Sequence, residues 1–419
     1  VRLIPSGWSL SLMMAGTIAN VTTGQIRFAA LSFACVVLMI FVLINLPVTT
    51  LQNRYWLKNP FVWAVGAYAS IILQDLFLGG AHVQAIIWTL PMFVLIASAV
   101  LLWQQGFVLH PKDLRTGLYG FFAAGVLLGV FSSSATNPCR EDKCSALGSL
   151  YQGAFPHENT MGYAASIAFI ALFTSANNAD RRYRWGLRAV AVIPLAAAVF
   201  SGARIAMAGV VVAFVVDRVL RAFRRRSFPT AAFSAAVVCS SVYLIYTSEV
   251  EDFSFRGRRW IVLRDSLSDF PIFGNGVTAW DDLQSSFLLD TTTHSVYGSL
   301  LVHGGLLALA LFAVFISRIA VFASISTQQE ILPLWVFLMV QSVFYSIWEP
   351  AQLPTRGWVL VVIALAVRYR EFPTKSRPNV DASRSRTWES QKYRPYAPSP
   401  ISGRRLGTRP PSGDHYASR

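Results

Sequence analysis

Charge is what this sequence has least of. Only 14% of its 419 residues are Asp, Glu, Lys or Arg, against roughly a quarter in soluble domains. So thin a supply of charge argues against an ordinary water-soluble domain. Acidic residues are the scarcer sign, 21 against 36 basic ones, and the formal net charge is +15. Such a surplus would suit nucleic acid, but the basic residues lie in short clusters between apolar runs and in the final stretch of the chain. That is how a membrane protein distributes them, and no nucleic-acid partner is expected. Cysteine is also scarce, with four residues. Cys35 and Cys239 lie in apolar runs and read as small core residues. Cys139 and Cys144 share the polar segment Asn137-Pro138-Cys139-Arg140-Glu141-Asp142-Lys143-Cys144. Two cysteines cannot close a usual zinc site, and the nearest histidine is His157. A local disulfide is the expected reading if the segment faces an oxidising compartment. No HExxH, P-loop, CxxC or nucleotide-binding glycine motif stands in a suitable context, so neither a metal nor a cofactor is expected.

What the chain does have is long apolar runs: 54% of its residues are hydrophobic and its mean hydropathy is +0.47. A window of about 19 residues suits a helix crossing ~30 Å of hydrocarbon. Candidate spans fall near 8–23, 27–47, 60–78, 83–103, 117–134, 160–177, 186–201, 203–220, 230–247, 296–322, 331–348 and 355–368. The run from Trp8 has no basic leader beyond Arg2 and is followed by further spans, so it reads as a span and not a cleaved signal. The expected fold is an all-α polytopic membrane protein of about twelve transmembrane helices, with a large outer loop containing short helices. It occupies residues 1–370. The tail 371–419, rich in Arg, Ser and Pro and without periodicity, is expected to be a disordered, basic, cytoplasmic segment. Its charge fits loose attraction to anionic lipid, and a solvated tail with no partner fits as well.

Lys and Arg in the short loops set the orientation. With both termini cytoplasmic, the inner loops hold Arg54, Lys58, Lys112, Arg115, Arg181, Arg182, Arg184, the cluster Arg218, Arg221, Arg224, Arg225 and Arg226, and Arg318. The outer loops are then Asn137 to Glu158 and the acid-rich stretch Glu249 to Thr293. The inverse orientation would put the five-arginine cluster outside.

Several polar residues then gather on the outer side. Arg204, in the turn Ser201-Gly202-Ala203-Arg204, is costly against lipid, so it should face a polar cavity or an anion unless it snorkels to the interface. A guanidinium fork suits phosphate oxygens. Next comes Arg256-Gly257-Arg258-Arg259-Trp260. Trp260, Leu263, Leu267 and Phe270 share one helical face, with Arg264, Asp265, Ser268 and Asp269 opposite. This predicts a short amphipathic helix at the membrane surface. The basic cluster is expected at its start, where helix N–H groups and guanidinium groups make an anion site. His294 follows Thr291-Thr292-Thr293, any of which could cap the next helix. In that first turn it could act as a general base. His303, half a helical rotation away and deeper, is a poor companion. His157 and Asn159 lie in the other outer loop.

Four segments resemble the O-antigen ligase/polymerase superfamily, the class C glycosyltransferases. Gly153-Ala154-Phe155-Pro156-His157-Glu158-Asn159-Thr160-Met161-Gly162 resembles its G-x-F-x-H-x-N-x-x-G. Ser201-Gly202-Ala203-Arg204 resembles S-G-S-R, with Ala203 in place of the second serine. Arg259 through Leu267, then Pro271-Ile272-Phe273-Gly274-Asn275-Gly276, resembles its arginine segment ending in P-x-x-G-x-G. The family's tryptophan has no counterpart at the expected offset, and Arg259 is preferred to Arg258 because it brings Ser266-Leu267 into register. His294-Ser295, nine residues and Gly305-Leu306-Leu307-Ala308 resembles H-[N/S/Q]-x9-G-x-x-G, with Ala308 in place of the last glycine. These segments fall within about 150–310.

The resemblance implies an enzyme of the bacterial inner membrane that transfers or polymerises a polyprenyl-diphosphate-linked glycan at the outer face. The acceptor would be a hydroxyl of a glycan or lipid-glycan. Arg204 and Arg259 would grip the donor diphosphate and His294 would orient or deprotonate the acceptor. Arg256, Arg258, Arg264, His157 and Asn159 would line the substrate. Ligase and polymerase remain open at this point, as do two other classes: a small-solute transporter and a non-catalytic membrane scaffold. A transporter should carry paired broken helices in two related halves, and the sequence contains no internal repeat.

Overall fold

Where two apolar helices are joined by only a few residues, the second must run back along the first. That constraint repeats along this chain and fixes which helix ends lie together. The structure is a computed structural model describing residues 2–3, 40, 44, 56–77, 83–132, 135–140, 143–266, 272–287, 293–345 and 357–367. The segment 8–23, all of 27–47 but Ile40 and Ile44, Cys35, Leu267, Phe270, Pro271 and the tail 371–419 lie outside the described residues.

Among the described residues the architecture is all-α, with twelve helices and two pairs of very short strands. The helices are α1 (Pro60–Phe77), α2 (Val83–Gln104), α3 (Pro111–Gly129), α4 (Glu158–Asn178), α5 (Arg181–Phe200) and α6 (Arg204–Ala222). They continue with α7 (Ser227–Thr247), α8 (Asp252–Ser266), α9 (Ala279–Ser286), α10 (Val296–Ile325), α11 (Ile331–Phe344) and α12 (Gly357–Ala366). The strands are β1 (Arg2–Leu3), parallel to β2 (Phe107–Val108), and β3 (Thr136–Pro138), antiparallel to β4 (Ser149–Tyr151). Three helices, α5, α7 and α10, are each long and apolar enough to cross a membrane.

Local chemistry explains the starts. Pro60 and Pro111 occupy first helical positions, where a missing N–H costs nothing. Asn59 accepts from the Phe61 amide and donates to the Val100 carbonyl at 2.8 Å, which ties α1 to α2. His110 caps α3 through Nδ1, which accepts from the Lys112 amide.

The core lies along α4, α10 and α11. Tyr163, Phe312 and Trp335 are fully buried, with Phe61, Tyr68, Phe121 and Phe155 packed in the same cluster. The periphery is apolar as well. Val192 and Ile193 on α5, Val211, Val215 and Val219 on α6, and Tyr243 and Tyr246 on α7 are all exposed. An exposed belt on this scale is uncommon on soluble monomers and marks a surface that meets lipid or a partner. Cys239 is exposed on α7, which corrects its expected core position: α7 packs one face inward and this thiol sits on the other.

The helix ends divide into two groups. Gly162 of α4 approaches Ala203 and Ser201 at the α5–α6 turn, and the α8–α9 segment follows α7 at this same end. At the other end, Ser324 near the close of α10 bonds Ser227 at the start of α7, and Arg221 donates to the Gln329 carbonyl at 2.9 Å. The arginine cluster therefore lies at the end opposite the Ser201 turn.

Candidate active site

A disulfide joins Cys139 to Cys144, whose Cα atoms are 4.7 Å apart. Within that loop Arg140 and Lys143 pair backbone to backbone, next to the β3–β4 hairpin. The loop holds Lys143 inward. Its Nζ donates to Glu158 Oε1 at 3.1 Å and to Asn159 Oδ1 at 2.8 Å. Glu158 is buried, and Arg140 reaches the same oxygen at 3.3 Å while His157 Nδ1 stands 3.1 Å from Oε2. Burial alone would raise the Glu158 pKa; the His157 and Lys143 charges outweigh it and hold the carboxyl below its ordinary range. When unprotonated, His157 Nδ1 instead serves as the N-cap of α4 and accepts from the Asn159 amide. His157 and Asn159, two expected substrate-lining residues, are thus brought together around a buried ion pair.

This cluster abuts the Ser201–Arg204 turn. Gly202 has φ +62°, a conformation open to glycine at no steric cost. A Cβ there would meet Leu150 and stand 3.2 Å from Lys143 Cε. Ser201 is buried and accepts from the Ala203 amide. Arg204 opens α6 and is exposed, and Ala203 gives the helix no side-chain cap. Uncapped helix N–H groups beside a guanidinium group make an anion site.

The second half is built on α8. This helix starts at Asp252, eight residues before Trp260. The expected placement of the basic cluster at the helix start is therefore corrected. Asp252 places a carboxylate at that terminus, its Oδ2 accepting from the Glu249 amide just before the helix at 2.8 Å. The arginines lie one turn or more further on, where backbone N–H groups are bonded within the helix. The apolar face is corrected too: buried Trp260 and Leu263 pack on Ile245 and Val302, so it faces protein and not lipid. Arg256 is buried, with its guanidinium carbon 5.5 Å from the Tyr345 ring centre. Arg258 is exposed and Arg259 half-buried. Arg264 is turned aside to Asp265 at 3.0 Å and the Tyr246 carbonyl at 3.3 Å.

Trp260 links this helix to His294: its indole N–H donates to the Thr293 carbonyl at 3.2 Å. The N-cap of α10 is Ser295, which accepts from the Gly298 amide. None of Thr291 to Thr293 fills that position, and His294 precedes the helix instead of lying in its first turn. His294 has φ +53°, alone among the described non-glycine residues in being positive. Left-handed backbone in a bulky residue persists only where its surroundings enforce it, and such residues cluster at functional sites. His303 is fully buried and bonds the Ser299 carbonyl within its own helix, away from the outer end.

Helix α10 is broken at Gly305 (φ +62°, ψ −160°). The break is filled by the segment 272–276. Asn275 and Gly276 amides donate to the Val302 and His303 carbonyls at 3.0 and 2.9 Å, and the Leu307 amide donates to the Ile272 carbonyl. Gln74 of α1 donates to the Gly274 carbonyl. The motif glycines on either side of His294 therefore close one backbone clasp.

The two halves meet at the end of α11. Buried Gln341 donates to the Ile205 carbonyl, next to Arg204, at 3.0 Å. Ser342 bonds Tyr297 in the first turn of α10 at 2.8 Å. Phe344 and Tyr345 contact Trp260 and Arg256. Lys143, Glu158, Gln341 and Tyr345 were not expected from the sequence. Two signals were there to be read: a lysine enclosed between neighbouring cysteines, and a lone Gln inside an apolar span, where polar groups are expensive. Among the described residues no group of three or more His, Cys, Asp and Glu could hold a metal ion. The chain matches no family model and no curated protein.

Proposed function

We propose that the protein is a multi-pass membrane glycosyltransferase of the O-antigen ligase or polymerase type, oriented with the α4, α6 and α8 site at the outer face. One observation carries the reading. Ile205 next to Arg204, Arg256 on the arginine helix, and Tyr297 three residues after His294, from three separate sequence segments, all contact the Gln341–Tyr345 end of α11. The donor is a polyprenyl-diphosphate-linked glycan, and Arg204 and Arg259 hold its diphosphate. As the bond between the anomeric carbon and the phosphate oxygen breaks, negative charge grows on the leaving diphosphate and the guanidinium groups stabilise it. The acceptor hydroxyl oxygen takes the anomeric carbon and its proton passes to His294. Polyprenyl diphosphate departs with the electron pair. The five-arginine cluster at the opposite end supports cytoplasmic placement there.

A small-solute transporter would also use a broken helix, as α10 is. In such proteins the freed backbone groups line the solute site. Here the carbonyls of Val302 and His303 are taken by amides of the 272–276 segment, which favours the enzyme. The test is to incubate the purified chain with a lipid-linked oligosaccharide and an acceptor glycan. Released polyprenyl diphosphate with a transferred or lengthened glycan is expected. A folded protein that leaves every such donor intact would remove the reading.

A further inference from the structure

A groove of about 750 Å³ opens between α4 and α6 at the end opposite the candidate active site, with Gln329 at its edge. Its floor is aromatic: the rings of Phe173 and Phe214 line it, 5.5 Å apart centre to centre, with Phe169 packed behind them. One wall carries Val215 and Val219, both more than half exposed and continuous with the apolar belt of α6. Its charged rim is unbalanced. Asp217 and Arg221 neutralise each other at 2.8 Å. Arg218, which also lines the groove, is exposed and has no acidic partner among the described residues. Arg188 borders it from α5, bonded to the neutral oxygen of Asn177 at 3.1 Å with its guanidinium group 6.0 Å from the Phe173 ring centre. An apolar trough with Arg218 in its lining and Arg188 against the lining residues Asn177 and Phe173 suits a molecule that is anionic at one end and hydrocarbon along the rest.

We propose that this groove binds an anionic bilayer phospholipid, its phosphate on Arg218 and Arg188 and an acyl chain against Phe173, Phe214, Val215 and Val219. The inference rests on the membrane placement proposed above, not on the glycosyl transfer. Basic recesses between helices at a cytoplasmic surface recognise such head groups by charge, while the apolar wall excludes water from the chain.

The test uses the purified full chain in a neutral detergent after delipidation. Retention of phosphatidylglycerol, of phosphatidylcholine with the same chains, and of glycerol 3-phosphate is measured by native mass spectrometry. Phosphatidylglycerol is expected to be held about tenfold more tightly than phosphatidylcholine, whose choline cation is repelled by the two guanidinium groups although its phosphodiester is the same. Arg218→Gln with Arg188→Gln should abolish that preference. Val215→Ser with Val219→Ser, both at exposed positions, should weaken lipid retention. Equal retention of the two lipids, a preference that survives both arginine changes, or glycerol 3-phosphate bound as tightly as the lipid would each overturn the proposal. Because the protein is already solubilised, the lipid site can fail while membrane insertion, tested by reporter fusions, stands.

Discussion

The backbones of Gly274 and Gly305 lie in direct contact. A Cβ added at Gly274 would stand 2.5 Å from the Gly305 nitrogen, and one at Gly305 would stand 2.6 Å from the Gly274 nitrogen. Both have positive φ. The contact lets the 272–276 segment bond the Val302 and His303 carbonyls left open by the break in α10, each 27 residues from its donor. It thereby fixes the connection that leads through α9 to His294. Gly305→Ala should cost about 3 kcal/mol, combining left-handed strain with overpacking against backbone that cannot rotate aside. Thermal unfolding in detergent should register it as a clear fall in Tm. Gly120→Ala in α3, with open space around its Cβ, should instead raise stability by roughly 0.5–1 kcal/mol. Equal Tm shifts for the two would mean that the clasp is not closed.

Lys143 and Glu158 form a buried pair, and removing the lysine leaves the buried carboxylate to the half-exposed Arg140 and to His157. Lys143→Met should destabilise by less than the ~3–5 kcal/mol of a fully unpaired buried charge, and Lys143→Met with Glu158→Leu should recover much of the loss. The pH dependence follows from the depressed Glu158 carboxyl. Its folded pKa lies below its unfolded value, so its stabilisation is present above the ordinary carboxylate range. It is lost as the pH falls through the folded pKa. Unfolding midpoints of wild type should therefore drop on acidification below about pH 4.3, more steeply than those of Glu158→Gln. Parallel curves for the two proteins would remove the ion pair from the account.

Orientation is testable independently of activity. A reporter fused after Arg226 should report the cytoplasm, and one fused at Ser285 should report the outer side, because the arginine cluster governs insertion. Opposite signals would turn the candidate site inward and remove the proposed chemistry with it.

Much of the helix layout was legible because 3.6-residue elements and lipid-length apolar runs write themselves into one dimension. Ten expected segments within the described residues coincide with α1 to α7 and α10 to α12. Boundaries slipped where polar residues extend a helix, as at Lys112 to Thr116 in α3 and Asp252 to Arg259 in α8. The site was legible as separate residues but not as an arrangement. The Gln341 bond to Ile205 and the bonds of the 272–276 segment to α10 join residues remote in sequence. No local pattern encodes them. The anion-binding helix start illustrates the difference: the sequence points to α8, whose first residue is the carboxylate Asp252, while Arg204 opens α6, one of the helices without a side-chain cap.

The roles of Arg204, Arg259 and His294 separate on binding, not on rate. Loss of a transition-state charge contact costs about 10²–10³-fold in turnover, and loss of a general base about 10²–10⁴-fold, so the ranges overlap. If the arginines hold the donor diphosphate, Arg204→Lys and Arg259→Lys should both weaken donor binding, since lysine keeps the charge but loses the two-pronged fork. His294→Asn keeps a side chain that tolerates the φ of +53° and so preserves the start of α10. It cannot take up the acceptor proton. Donor affinity should remain near that of wild type while turnover falls by the general-base factor. Binding and turnover of a lipid-linked oligosaccharide would be measured for each variant, after thermal unfolding confirms the fold. Normal donor handling by Arg204→Ala and Arg259→Ala would dissolve the diphosphate site. Wild-type turnover by His294→Asn would leave the strained histidine with a purely structural task at the head of α10.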